Sequence, residues 1–265
     1  MRIHHLNCGD IHAVFGGSRG VIYCLLVETS DGLLLVDTGL GTRDHTDPTV
    51  IMRLFRLSLR LGGDIRETAL HQVAELGYDA DDVRHIVLTH LHLDHAGGLA
   101  DFPSALVHVY RPEYEATRRH QGLLSFGYLP AHWSHGPRWV FHDSPTEQWF
   151  GFDSIPIVAG LQPRVLLVPL PGHTPGHCGV AVQTEEGWLF HCGDAASGNV
   201  PRADPNQPSE EQPSWLVRQL IGNNVPRLRT LLREHGDEIE LISGHDRPGF
   251  LRHQRAHARS GPREH

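Results

Sequence analysis

Six consecutive residues, His90-Leu-His-Leu-Asp-His95, place four strong metal-binding side chains on one short stretch. Three imidazoles and a carboxylate so close together need partners wherever they lie, because buried polar groups left unpaired are costly. Upstream, Arg84–Leu88 reads RHIVL, the short apolar run of a buried strand. Downstream, Ala96-Gly97-Gly98 opens a new segment that runs to Phe102. The histidines therefore sit on a turn leaving a strand. Alternation puts His90 and His92 on one side and lets Asp94 and His95 swing to another, so one loop can face two ions. Imidazole with carboxylate suits Zn²⁺ or a similar first-row ion.

A site of this kind needs further ligands, and three strand-like runs each lead to one. Val165–Leu170 leads to Pro171-Gly172-His173, Gly187–Cys192 to Gly193-Asp194, and Glu240–Ser243 to Gly244-His245-Asp246. With HxHxDH, His173, Asp194 and His245 in this order, the chain resembles the metallo-β-lactamase superfamily of metal-dependent hydrolases. The resemblance runs from Leu33-Leu-Leu-Val-Asp37-Thr-Gly39 to His245.

Composition narrows the alternatives. At 265 residues the chain can form a sizeable core, and we expect a single domain with its core over about 1–250 and a frayed tail from 251 to 265. A net charge of -8 disfavours a nucleic-acid partner, which would want a basic face. All 23 basic residues are Arg, so Schiff-base and Walker-type lysines are excluded. Cys8, Cys24, Cys178 and Cys192 form no CxxC pair and read as reduced core residues. The N-terminus shows no apolar signal region, and no apolar run approaches the ~20 residues of a membrane span. The expectation is a cytoplasmic protein, monomer or homodimer, with a small-molecule substrate and no membrane partner.

Along the chain, Arg2–Asn7, Val21–Thr29 and Leu33–Val36 read as strands. Gly16-Gly-Ser18-Arg-Gly20 matches G-x-S-x-G, but a strand follows where the serine-hydrolase elbow needs a helix, so a glycine-rich turn is expected. Thr49–Leu61 is an apolar helix with interleaved arginines, either packed on the body or lying as a flap over the site. Glu67–Leu76 is expected to be a helix burying Leu70, Val73, Ala74 and Leu76. Ala105–Tyr110 reads as a strand and Pro112–His120 as a helix. Gln121–Trp149 has no period and carries Phe126, Tyr128, Trp133 and Trp139 with His132, His135 and His142; it is either a surface loop or part of a pocket. Strands at Val165–Leu170, Cys178–Thr184, Trp188–His191 and Glu240–Ser243 follow, with a loop over Gly198–Pro213 and helices at Leu216–Ile221 and Val225–His235. Periodicity alone gives mixed α and β; the resemblance implies the αββα sandwich, two stacked mixed sheets flanked by helices.

The resemblance also implies the site. One metal takes His90, His92 and His173, the second takes Asp94, His95 and His245, and Asp194 bridges both. Asp37 supports the metal loop without ligating it. Two dications ~3.5–4 Å apart need an anionic bridge, and a shared water losing its proton near neutral pH gives the hydroxide that attacks a carbonyl. Asp94 and Asp194 are the candidate catalytic residues, and the cofactor is two Zn, with Fe, Mn or Co as alternatives. No Cys matches the second site of class B1 and B2 β-lactamases. Asp246, not Glu, follows His245, unlike the usual glyoxalase II pattern. The N-acyl homoserine lactone hydrolases share HxHxDHAGG, the Gly172–His177 run and the final His-Asp. They commonly place Tyr three residues after the bridging Asp, where this chain has Ser197. Either Tyr128 or a histidine of the 121–149 stretch substitutes, or the substrate differs. The expectation is a hydrolase of lactones or related esters, with thioesterase, phosphodiesterase, β-lactamase and non-hydrolytic di-iron alternatives open.

Overall fold

A computed structural model describes residues 1–12, 19–58, 61–119, 127–196 and 224–260, with side chains to 256. The first sheet is β1 (Ile3–His12), β2 (Arg19–Thr29), β3 (Gly32–Val36), β4 (Val83–Val87), β5 (Leu106–Tyr110) and β6 (Arg138–His142), paired in that order. The second is β7 (Glu147–Trp149), β8 (Phe152–Pro156), β9 (Val165–Pro169), β10 (Cys178–Thr184), β11 (Gly187–His191) and β12 (Ile239–Ile242), also in sequence order. Both sheets are mixed. β3 to β6 run parallel beside antiparallel β1 and β2, and β12 runs parallel to β11 beside antiparallel neighbours.

Alternation decides the layers. Leu25, Val27, Val36 and Val87 of the first sheet pack on Leu167, Val180, Val182 and Ile242 of the second, giving the core between the sheets. Their neighbours Leu26, Leu35, Ile86 and Val107 face outward. They meet Met52 and Phe55 of α2 (Val50–Ser58), Val73 of α3 (Ala69–Glu75) and Ala116 of α5 (Arg111–Arg119). α1 (Thr42–Thr46) and α4 (Leu93–Ala96) are single turns, and α4 buries Leu93 and Ala96 in the same outer cluster. On the far face of the second sheet, Leu166, Ala181 and Phe190 receive Leu228, Leu231 and Leu232 of α6 (Val225–His235). Helix, sheet, sheet, helix is the expected sandwich. All four cysteines are buried and unpaired. Among the described residues no helix is long and apolar enough to cross a membrane.

Several local expectations change. The tail read as frayed from 251 is helical: α7 spans Arg247–Ser260. Its His253 ring stacks on His5 at 3.8 Å and its Nε2 lies 3.0 Å from Glu240, contacts that an Arg- and His-rich composition does not advertise. In α3, Val73 is buried and Leu70 half-buried, but Ala74 is exposed on the helix's other face and Leu76 is exposed beyond the helix end at Glu75. The stretch read as aperiodic contains the edge strand β6, whose Trp139 and Phe141 lie 5.3 and 5.0 Å from the Tyr114 ring of α5. Ser18, Phe126, Ser197, the 198–213 loop and the helix expected at Leu216–Ile221 lie outside the described residues.

Candidate metal centre

Five loops meet at one end of the sandwich, each following a strand. Asp37 follows β3, His90 to His95 follow β4, His173 follows β9, Asp194 follows β11 and His245 follows β12. Backbone hydrogen bonds join these loops. Thr38 N donates to His95 O, Cys178 N to Thr89 O, and Gly244 N to Gly193 O. Strands from both sheets thus fix the relative positions of groups up to 208 residues apart in the chain, from Asp37 to His245.

The side chains converge into three overlapping groups, in each of which the possible ligand atoms lie within 4.8 Å of one another. They are His90, His92 and His173; Asp94, His95 and His245; and His90, His95 and Asp194, which joins the other two. His173 Nε2 is 2.9 Å from His92 Nδ1. Asp194 Oδ2 is 3.3 Å from His245 Nε2 and 3.5 Å from His173 Nε2, and its Oδ1 is 3.5 Å from His95 Nε2. Three inward atoms, His90 Nε2, His95 Nε2 and Asp194 Oδ1, are buried without a hydrogen-bond partner. Buried acceptors left bare in this way, ringed by nitrogen and carboxylate donors without a thiolate, fit divalent cations.

The site's charges favour the same reading. Burial, reinforced by His95 and His92, pushes His90 well below the usual imidazole range. Burial and the nearby His173 take His92 down to about 3, so both imidazoles are neutral at physiological pH, the form that can bind a cation. Burial tends to raise the Asp194 carboxyl, but His245 and His95 overcome it and hold it well below the usual carboxylate range. Burial also works against a charge on His245, yet Asp194 and Asp94 raise it to about 9. A cation is therefore favoured between these two carboxylates.

Outside the converging groups, buried side chains hold the loops. Asp37 has a φ of 56° and accepts from Thr89 N, Thr89 Oγ1 and His95 Nδ1, each at 2.8 Å. That fixes the His95 ring with Nε2 inward, as expected of a supporting carboxylate. His177 Nε2 accepts the Asp194 amide at 3.0 Å, and His191 Nδ1 accepts the Gly193 amide at 3.2 Å. A Cβ on Gly193 would stand 2.6 Å from His177 Nε2, so the turn that presents Asp194 requires glycine. Glu113 of α5, fully buried, accepts from Leu91 N, Thr174 Oγ1 and Gly176 N.

Sequence reasoning named the seven converging residues and Asp37, and the structure brings all of them together. It missed Glu113, His177 and His191. His177 stands in the quoted Gly172–His177 run, so a signal for it existed. Glu113 reads as an ordinary acidic residue in a helix's first turn. Tyr128 does reach the site, with its ring 5.1 Å from that of His92 and its hydroxyl buried. Ser197 lies outside the described residues. His132 pairs with Asp44 at 2.8 Å instead of joining the converging groups.

Such a sandwich, with donors for divalent cations at its strand ends, defines a metal-dependent hydrolase. The chain belongs to the metallo-beta-lactamase superfamily, whose sequence pattern it matches over residues 17–228. It is 40% identical over 252 residues to a probable metallo-hydrolase of Mycobacterium tuberculosis, covering 93% of this chain and 80% of that protein. It is 30% identical over 166 residues to an N-acyl homoserine lactonase of a Bacillus species, covering 62% of this chain and 59% of the other. Its fold is similar to that of a Bacillus thuringiensis AiiA variant with N-decanoyl-L-homoserine bound at the active site. The TM-score is 0.67 at 21% identity, over 94% of this chain and 95% of that one.

Proposed function

We propose that the chain is a dinuclear, zinc-dependent hydrolase of lactones or related carboxylic esters, with N-acyl homoserine lactones among the candidate substrates. The observation that carries this reading is the pair of triads, His90/His92/His173 and Asp94/His95/His245, with Asp194 between them. Each triad would hold one ion, and Asp194 can offer one oxygen to each side. With the Asp194 oxygen each ion would have four protein ligands and no thiolate, and a fifth position would be left for water and substrate, unlike a closed structural site. The likeness to an N-acyl homoserine lactonase supports the choice of lactones.

Divalent ions held there would lower the pKa of a coordinated water and polarise a substrate carbonyl. The chain's own residues do the rest. Asp194 holds the two halves in register, and its backbone is fixed by His177 and His191. Asp94 directs Oδ2 toward His245 and His95, at 3.5 and 3.8 Å. We assign its other oxygen to accepting a proton from the attacking water and passing it to the departing alkoxide. Asp37 keeps His95 turned inward.

The test is hydrolysis by zinc-loaded protein of a panel of lactones, esters, thioesters, phosphodiesters and β-lactams, followed by product analysis. We expect the highest kcat/KM on a lactone or ester. Fastest turnover of a phosphodiester or β-lactam would overturn the substrate assignment.

A further inference from the structure

A carboxylate buried without a cation among its hydrogen-bond partners is costly unless donors replace its lost water. Glu113 is in that position. Its Oε1 accepts the Leu91 amide at 2.9 Å, and its Oε2 accepts the Thr174 hydroxyl at 2.6 Å and the Gly176 amide at 3.2 Å. None of these donors is charged. Leu91 lies between His90 and His92, and Thr174 directly follows His173. A second observation shows how closely the parts meet. A Cβ on Gly176 would stand 2.0 Å from the Glu113 amide nitrogen, so the 171–177 loop lies directly on the start of α5.

We infer that Glu113 is a positioning residue for one of the two ion sites, clamping the loop that carries His90 and His92 to the loop that carries His173. The inference rests on the two-ion reading above. Packing alone would be served by an apolar side chain, which would avoid burying a charge. A carboxylate supplies what an apolar group cannot, two acceptor oxygens spanning donors on separate loops. The other half of the centre has its own clamp, since Asp37 binds Thr89 and the His95 ring. The hydrogen bonds of Glu113 involve neither Asp37 nor the Asp94/His95/His245 group. Its loss therefore loosens one site and spares the other.

The prediction is tested on full-length, metal-loaded protein dialysed against a graded series of chelator, with zinc retained per chain as the readout. Glu113→Gln keeps the size of the side chain but offers one acceptor oxygen and an NH₂ group where donors already stand. We expect wild type to release two ions in two steps. In the variant one step should move to about tenfold lower chelator, the low end for partners supporting a metal ligand, while the other stays in place. Thr174→Val keeps the shape and removes one donor, and should move the same step by less. If Glu113→Gln does not fold, as judged by circular dichroism, Thr174→Val carries the test alone. Parallel movement of both steps would mean general destabilisation and would overturn the inference, as would a variant indistinguishable from wild type. A wild type that holds a single ion would overturn the two-ion reading itself, a result separate from the behaviour of the variants.

Discussion

At Asp194 two demands meet, because the same side chain must lie between two triads and remain ionised while buried. His245 and His95 meet the second demand, and the amide contacts of the 193–194 turn to His191 and His177 meet the first. Asp194→Asn keeps the shape, removes the charge and leaves a single coordinating oxygen. We expect zinc content and kcat to fall together, with kcat down at least about a hundredfold, in line with losing an electrostatic group at the reacting centre. Activity within a few-fold of wild type would mean that Asp194 does not join the two sites. Asp37 acts through His95, so Asp37→Asn should weaken retention of zinc while leaving the fold intact, at a cost of about tenfold to a hundredfold in affinity.

Among the elements, α2 stands apart. It buries Met52 and Phe55 but leaves Val50, Ile51, Leu54 and Leu57 from 51% to 79% exposed. These are four of the six large apolar side chains exposed among the described residues, concentrated on nine residues of helix. Arg56 Nη1 donates to Asp44 O, and Asp44 pairs with His132, which follows Tyr128 beside His92. α2 is thereby tied to the site's side of the molecule. We expect its apolar face to receive the acyl tail of a substrate, so that kcat/KM rises over the first few carbons of a lactone series. Each buried methylene contributes ~0.8 kcal/mol, about fourfold. Leu54→Asn combined with Leu57→Asn should flatten the series, and a wild-type rate independent of chain length would mean that the α2 face does not receive the tail. The sequence showed α2 as amphipathic without showing that its apolar face stays uncovered, because coverage is a tertiary property. The same limit hid β6, a short edge strand inside a Pro- and His-rich stretch, and Glu113, whose role arises only when the 171–177 loop lands on α5. The converging side chains were legible for the opposite reason. Four fall within six residues of sequence, and each of the other three follows an apolar strand and a glycine.

On the scale of the whole molecule, the first sheet carries a line of histidines, His85 and His108 buried and His142 half-buried. His85 Nδ1 is 2.9 Å from His108 Nε2, and His108 Nδ1 is 3.0 Å from His142 Nε2. Burial, with His142 and His85 beside it, takes His108 from 6.5 to about 3. Burial and the stacked His253 take His5 to about 3 as well. Such groups gain their proton in the unfolded chain first. Their contribution to stability is whole above pH 6.5 and is lost as pH falls toward 3, by at most about 1.4 kcal/mol per pH unit each. Denaturant unfolding at pH 7.5 and pH 5.0 should show the lower stability at pH 5.0, and His108→Gln should narrow the difference. Equal stability at both values would mean that these imidazoles are not neutral in the folded protein. The same architecture, strands of two sheets ending in one cluster of loops, underlies the central claim that this chain holds two ions. That claim is tested most directly by counting metal per chain in purified, active protein under saturating zinc. The account predicts two equivalents, and a single equivalent in fully active protein would contradict it.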